Sequence, residues 1–384
     1  MLKKIPKQVV ILGLISLFTD MASEMLYPIT PIFLASVLGA SMISVGVIEG
    51  LAEITAGFLK GYFGFLSDKL GKRSIFVVGG YSISALSKPL PGIFPNIFIV
   101  LISRVTDRIG KGMRTAPRDA LLAGYSNSSN TGAIFGFHRG MDTLGAVLGP
   151  LIALLLLNIY DYNYNLIFII AFIPSVIAVA FTFYIKDKKV EIRERKKLQY
   201  VAFWEESPRT YKTLVILITI FSLVNSSDVF LILKSRNISH SDVTAILGYV
   251  FYNLIYAVSS YPAGLISDKI GKKKIYILGL IIFSAVYFGF ASSDNFILTW
   301  ILFAFYGIYA ASTEGILKAW ISDLVAYEKV ASAVGLITML SSIAMFLGSI
   351  LTGYLWDAFG SSVPFYFSSA VSLIIALSLI RIHK

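Results

Sequence analysis

The chain has no cysteine among its 384 residues, which excludes a disulfide framework, thiolate chemistry and any Cys-ligated metal site. Charge is scarce too. Charged residues make up 14% against 56% hydrophobic ones, with a mean hydropathy of +0.77, a balance that excludes a water-soluble globular protein. Three local patterns are also absent: the phosphate-cradling P-loop, the metalloprotease HExxH and the nucleophile-elbow GxSxG. Neither ATP-driven work nor a familiar hydrolytic activity is therefore expected. The chain reads as a non-enzyme without a cofactor, so any energy for work must come from an ion gradient or from a substrate's own gradient.

What the sequence does have is apolar length. Stretches long enough to cross a bilayer recur near residues 8–36, 42–66, 74–93, 97–123, 132–157, 165–185, 213–233, 242–266, 275–292, 296–322, 330–356 and 362–381. At roughly 20 residues per crossing they fill the chain with twelve helices, leaving no room for a sizeable soluble domain. The start imitates a signal peptide, with Lys3, Lys4 and Lys7 ahead of an apolar run from Val9, but that run continues to about Ser36 and carries Asp20 and Glu24. It is expected to be a retained first span. The formal charge of +11 would suit nucleic acid if it were clustered on a soluble face. Instead, Lys69, Lys72 and Arg73 follow span two, and Lys269, Lys272, Lys273 and Lys274 follow span eight. Between spans six and seven, residues 186–212 hold nine Lys or Arg and five acids. Odd-numbered connections are nearly bare, Lys234 and Arg236 excepted. By the positive-inside rule both termini lie in the cytoplasm, the bilayer is the chain's large partner, and nucleic acid is not one. The expected organisation is a six-helix half over 1–185, a cytoplasmic linker over 186–212 and a second six-helix half over 213–384, in the plasma (inner) membrane.

The two halves repeat each other at an offset of 200. Gly64, Ser67, Asp68, Lys69, Gly71 and Lys72 recur as Gly264, Ser267, Asp268, Lys269, Gly271 and Lys272; Ile75, Gly79, Ser84 and Ala85 recur as Ile275, Gly279, Ser284 and Ala285. Parallel repeats of six spans imply halves related by an axis along the membrane normal, with a substrate site at the repeat interface. The segments GFLSDKLGKR at Gly64 and GLISDKIGKK at Gly264 resemble the loop signature of the major facilitator superfamily, G-x-x-x-D-[RK]-x-G-[RK]-[RK]. The resemblance runs over essentially the whole chain. It implies an all-α membrane protein of twelve helices in two pseudo-symmetric halves, working by alternating access. In that reading Gly64, Asp68, Gly71, Lys72, Arg73, Gly264, Asp268 and Gly271 form a cytoplasmic gate.

Span four resembles the superfamily pattern of an intramembrane arginine, here Arg104, followed by small residues, here Gly110 and Gly112. Arg108 departs from it, standing where relatives often have glycine. At about 100° per residue Arg104, Arg108, Lys111, Arg114 and Arg118 fall within about 120° of arc. Such a stripe cannot face lipid, so it faces a cavity or paired acids. Candidate acids are Asp20 and Glu24 on span one, Glu49 and Glu53 on span two, Asp107 and Asp119 on span four and Asp142 on span five. They are either a structural ion-pair network or include a group that binds a proton or a cation. Glu24 and Glu53, near mid-span, are the first choices for the latter. The glycines Gly46, Gly50, Gly57, Gly61 and Gly64 form a small-residue stripe on span two, expected to be a close-packing surface. On span five Gly145, Gly149 and Pro150 resemble the core of the superfamily's antiporter signature, although Ala153-Leu154 replaces its terminal Gly-Gly pair. His138 is a proton-relay candidate, more simply a structural histidine.

In the second half Asn225 and Asp228 stand near the places of Asp20 and Glu24, and Tyr249 and Asn253 take those of Glu49 and Glu53. With Tyr252 and Tyr256 these suit an amphipathic or cationic ligand, although each tyrosine taken singly reads as lipid-facing. The expected function is secondary active transport, with proton-coupled efflux of a small amphipathic or cationic compound by a monomer. The alternatives are an organic-anion or organophosphate carrier using Arg104 and Arg108, and a metal-ion exporter using Asp20, Glu24, Asn225 and Asp228.

Overall fold

A computed structural model describes residues 5–125, 131–187, 200–325 and 330–381, and the described side chains do not include those of Asp68, Lys69 and Asp268. Among the described residues there are helices and turns and no strand. In a bilayer only helices or closed barrels satisfy every backbone N–H and C=O within the chain, so a sequence of long apolar runs has this one outcome. Span one comprises α1 (Lys7–Leu26), the short α2 (Ile29–Ile32) and a π-helical turn over Phe33–Val37; α3 (Met42–Leu70) is span two. Span three is α4 (Arg73–Ser87) with α5 (Leu90–Ile93), span four is α6 (Ile97–Gly124) and span five is α7 (Thr131–Ile159). Span six is α8 (Tyr164–Ile170) with α9 (Phe172–Thr182), and α10 (Tyr200–Glu206) lies in the linker. The second half has α11 (Arg209–Val224) with α12 (Val229–Ser239), then α13 (Asp242–Ile270), α14 (Lys272–Ser292), α15 (Phe296–Leu324), α16 (Val330–Phe359) and α17 (Val363–Ile380). Among the described residues, ten of the twelve expected spans are long and apolar enough to cross a membrane on those grounds alone. The other two are span three, split at Lys88, and span four, which carries the basic stripe.

The residues that start and stop the helices explain the turns. Asn96, Asn163, Ser241 and Asn295 each accept a backbone hydrogen bond at a helix start, from Phe98, Leu166, Thr244 and Ile297, so short polar caps satisfy the orphan donors without charge. The basic connections are built differently. Gly71 and Gly271 take φ of +65° and +104°, which excludes a side chain without strain, and each donates its N–H to the carbonyl of Ser67 or Ser267, at 3.0 and 2.9 Å.

The chain forms two compact units, one of Met1–Ala40 with Leu51–Arg195 and one of Ser41–Gly50 with Lys196–Lys384. In unit 1, α1 packs on α7 and α9, and α4 on α6 and α9; in unit 2, α11 packs on α16 and α17, and α14 on α15 and α17. The repeat therefore extends from sequence to packing, spans one, three, four, five and six matching spans seven, nine, ten, eleven and twelve. Large apolar side chains such as Phe58, Phe98, Leu155, Phe183 and Ile374 point outward and exposed, as a lipid-solvated surface requires.

Glycines set the closest approaches. A methyl group at Gly145 would lie 2.4 Å from the Leu17 carbonyl oxygen, one at Gly149 2.5 Å from that of Met21, and one at Gly348 2.3 Å from that of Leu223. Span five thus seats on span one through glycine, and span eleven on span seven likewise. Within unit 2, Gly46 and Gly50 of α3 sit against Ser349 and Phe346 of α16, and Gly353 sits against Met42. Asp357 accepts from the N–H groups of Met42 and Ile43 at 3.0 and 2.8 Å, capping α3. The expected small-residue stripe is thus used in part: Gly64 meets Ala116 at 3.0 Å, but Gly61 faces open space.

Candidate functional site

The chemistry of unit 1 converges on α6. Its basic stripe needs solvent or counter-charge, and most of it turns to a cavity lined by Asp20, Glu24, Tyr27, Lys88, Arg104, Asp107, Arg108, Lys111, Arg114 and Phe168. Arg118 leaves the stripe and pairs with Asp119 at 3.0 Å. Five cations and three acids line this cavity, so its surface is net basic. Arg104 lies over the Tyr27 ring at 5.7 Å, and Arg114 over the Tyr81 ring at 4.4 Å, where the ring quadrupole offsets part of the lost hydration. Tyr27 stands where span one breaks ahead of Pro28, so the irregular backbone coincides with the cavity wall.

Two further ion pairs involve α6. Lys88, 3% exposed, contacts Asp107 at 2.7 Å, and Ser84 donates to the same carboxylate oxygen. Arg108 lies 3.6 Å from Glu53. Glu53, chosen for its place near mid-span, therefore has a standing cationic partner. Glu49, one turn earlier on α3, is buried at 1% exposure and belongs to unit 2, so the two candidate glutamates of span two are divided between the units. Lys88 was not singled out by sequence. Its signal was a lysine held by Pro89 and Pro91 inside an apolar span.

The glycine seam of span five meets the acids of span one. A methyl group at Gly145 would lie 3.2 Å from the Asp20 Cβ, and one at Gly149 3.0 Å from the Glu24 Cβ. One turn before Gly145, Asp142 accepts from Ser16 and from Arg139 at 3.1 Å, and Ser16 stands one turn before Asp20 on span one, so the two aspartates are neighbours at the seam. His138, 5% exposed, has no hydrogen-bond partner for its Nε2.

The gate loops show the repeat in side-chain contacts. Ser67 donates to the Gly64 carbonyl at 2.9 Å, Ser267 to that of Gly264 at 2.7 Å. Arg73 donates to the Ala120 carbonyl at 3.0 Å, and in the second copy Lys272, one place earlier than the counterpart of Arg73, donates to that of Ala319 at 3.3 Å. Asp187 accepts from the N–H groups of Arg73 and Ser74, tying the linker to α4. The expected roles of Asp68 and Asp268 lie outside the described residues. Among the described residues, a methyl group at Gly264 would meet nothing within 4 Å.

In unit 2, span seven breaks between Val224 and Val229, and Asp228 is the N-cap residue of α12. Tyr306 donates to one carboxylate oxygen of Asp228 at 2.6 Å and Tyr252 to the other at 3.4 Å. Tyr249 and Tyr252 are 7% exposed and Tyr306 is 3% exposed, so the lipid-facing expectation fails for the first two: their hydroxyls need partners that lipid does not offer. Tyr256 donates to Glu314 at 2.7 Å, and Asn253 donates to the Tyr249 carbonyl at 3.0 Å. Tyr287, Tyr306 and Tyr309 escaped sequence reading, although 306 and 309 share a helix face. Among the described residues no group of three or more His, Cys, Asp or Glu could hold a metal ion.

Comparison with known proteins agrees with the fold and the duplicated loops. An uncharacterised transporter of the same type from Methanocaldococcus jannaschii is 34% identical over 99% of this chain and 96% of its own. Multidrug resistance protein 2 of Bacillus subtilis is 28% identical over 36% of this chain and 35% of its own. The crystal structure of the nucleoside transporter NupG, in its D323A form, superposes with a TM-score of 0.85 at 12% identity, covering 98% of this chain and 100% of that one. The family model for the Major Facilitator Superfamily matches residues 12–242 and 213–383; the chain is an integral membrane transporter, not an enzyme, and belongs to that superfamily.

Proposed function

We propose that the protein is a proton-coupled exporter of small amphipathic compounds, acting as a monomer in the plasma membrane with both termini in the cytoplasm. The observation that carries this reading is the neighbouring placement of Asp20 and Asp142 at the Gly145 seam, where Ser16, one turn before Asp20, donates to Asp142 and a methyl group at Gly145 would lie 3.2 Å from the Asp20 Cβ. Two neighbouring carboxylates repel unless one holds a proton. Asp142 has Arg139 and Ser16 as partners, which makes Asp20 the proposed carrier, on the wall of the cavity that Glu24 and Lys111 also line. The partial likeness to a multidrug resistance protein and the Gly145, Gly149 and Pro150 pattern support export.

Reconstitution into liposomes tests it. Replacing Asp20 or Asp142 by Asn should preserve folding and downhill exchange while removing the acceleration produced by an imposed pH gradient. The organic-anion alternative draws on the net basic cavity. If both variants keep full gradient-driven transport while Arg104→Gln abolishes substrate binding, that alternative replaces the proposal. The metal-exporter alternative has no comparable ligand cluster among the described residues.

A further inference from the structure

Arg114 lines the cavity beside α6 and belongs to neither of the ion pairs found there. We propose that it recognises an oxyanion, the carboxylate or phosphate group of an amphipathic transported compound whose apolar part lies toward Val100 and Phe168. This inference rests on the transport reading and names the class of group that unit 1 binds. It differs from the organic-anion alternative in leaving Asp20 and Asp142 their coupling role, and in placing recognition on Arg114 rather than on Arg104 and Arg108.

The packing of α4 on α6 holds Arg114 in place before any ligand arrives. A methyl group at Gly80 would lie 2.8 Å from the Arg114 Cβ, so the arginine stem lies against α4 where a side chain is missing. The guanidinium then rests over the neighbouring Tyr81 ring at 4.4 Å. Arg114 is 4% exposed, and among the described residues its Nη1 has no hydrogen-bond partner. One ring face offsets only part of the hydration that a buried ion loses. Asp107 is near enough to attract it, but that carboxylate contacts Lys88 at 2.7 Å, accepts from Ser84 and also attracts Arg108. Three cations thus share one negative charge. With Asp20 and Glu24 on the wall, and Glu53 set against Arg108, the cations of the cavity still outnumber the acids. Such an excess of buried charge inside a membrane marks a ligand pathway. A guanidinium with donors to spare fits the paired oxygens of a carboxylate or phosphate.

Order along α6 gives the ligand its polarity. Ser87, Ser84 and Gly80 of α4 meet Ser103, Asp107 and Gly110 in turn, so Pro91 lies at the Val100 end, where Gly92 packs on Phe168. That end of the cavity is apolar. Arg114 stands about 20 Å further along the helix axis, past Arg104, Arg108 and Lys111, at the cationic end. A compound with an apolar body and an acidic head matches this order, whereas a cationic head meets its own sign.

The test is equilibrium binding to the full-length protein in detergent, at one fixed pH and with no gradient, using 4-phenylbutyrate and its uncharged amide as matched probes. Wild type should bind the acid at least tenfold more tightly than the amide. Arg114→Gln should lose that preference while unfolding no more readily than wild type, because it removes a buried charge that lacks a full counterion. Arg114→Lys, which keeps the charge but not the fork, should lose part of it. Equal binding of acid and amide by wild type overturns the proposal, whether or not the variants fold. An Arg114→Gln protein that keeps the preference, or that is less stable than wild type, also overturns it, since either result makes the arginine a structural group. Anionic phosphatidylglycerol at equal concentration should not displace the acid; displacement would assign the site to a lipid phosphate instead. Because no gradient is applied, Arg114-dependent binding would stand even if the liposome assay failed to show proton coupling, and a failed titration would leave the coupling result untouched.

Discussion

Replacing Asp107 by Asn should be among the most destabilising isosteric changes in the protein. The substitution keeps the shape of the side chain and an acceptor for Ser84, so it isolates the charge. Lys88, 3% exposed, would lose its 2.7 Å counterion, and breaking a buried pair by removing one partner costs about 3–5 kcal/mol. Arg108 and Arg114 stand close to the same carboxylate, so the remaining cluster would be wholly cationic and the cost should fall in the upper part of that range. Arg108 retains Glu53 and Arg114 retains the Tyr81 ring, which keeps it from rising further. The double variant Lys88→Met with Asp107→Asn removes the stranded charge and should recover at least half of the loss, since a neutral replacement for a buried pair is often close to neutral in stability. The assay is equilibrium unfolding in mixed micelles, followed by the fluorescence of the four tryptophans. Raising the pH should shrink the penalty of the single variant, because a lysine that has given up its proton needs no counterion. A loss below about 1 kcal/mol, the size of an exposed pair, would show that Asp107 is not the counterion; a double variant no more stable than the single would show that Lys88 is not what it holds.

Two further predictions use the same absence of cysteine and the same close packing. Single cysteines introduced for Lys189 and Asn163 should be labelled by an impermeant maleimide from opposite faces of the membrane, and labelling of both from outside would overturn the orientation. Gly80→Ala should destabilise by about 1–3 kcal/mol, because the new methyl would lie 2.6 Å from the Gly110 carbonyl oxygen. Gly79→Ala should cost clearly less, since its nearest neighbour is the movable end of Met113. Equal losses in the unfolding assay would show that the helix interface adjusts as a whole.

The duplicated loops were legible because glycine, serine and a basic residue each do something local there. A positive φ and a back-bond to the turn survive in both copies, and the reach to a carbonyl 47 residues on is made by Arg73 in the first and by Lys272, one place earlier, in the second. The fourth span was legible as charged, and its stripe as unable to face lipid, from helical spacing alone. Which partner each charge takes was not legible. Glu53 and Glu24 looked alike on their own helices, and only the packing of α3 on α6 gives Glu53 an arginine. The offset also stops predicting chemistry once packing takes over: Ser84 donates to Asp107, whereas its counterpart Ser284 donates to Ser369 on α17. Tyr252 and Tyr306, which donate to Asp228, show the same limit. A tyrosine in an apolar span reads the same whether it faces lipid or a carboxylate from another helix.

The placement of Ser41–Gly50 in unit 2 changes what a half of this protein means. Cutting the chain in the linker yields two six-span pieces, but neither is one of the compact units. The C-terminal piece would carry Asp357 with no helix start to cap, and the surface of α16 that receives Gly46 and Gly50 would be empty. The N-terminal piece would hold the missing ten residues with nothing to pack them against. Separately made fragments should therefore be poor folders alone and complement each other on co-expression, the first turns of α3 acting as the insert that completes its partner piece.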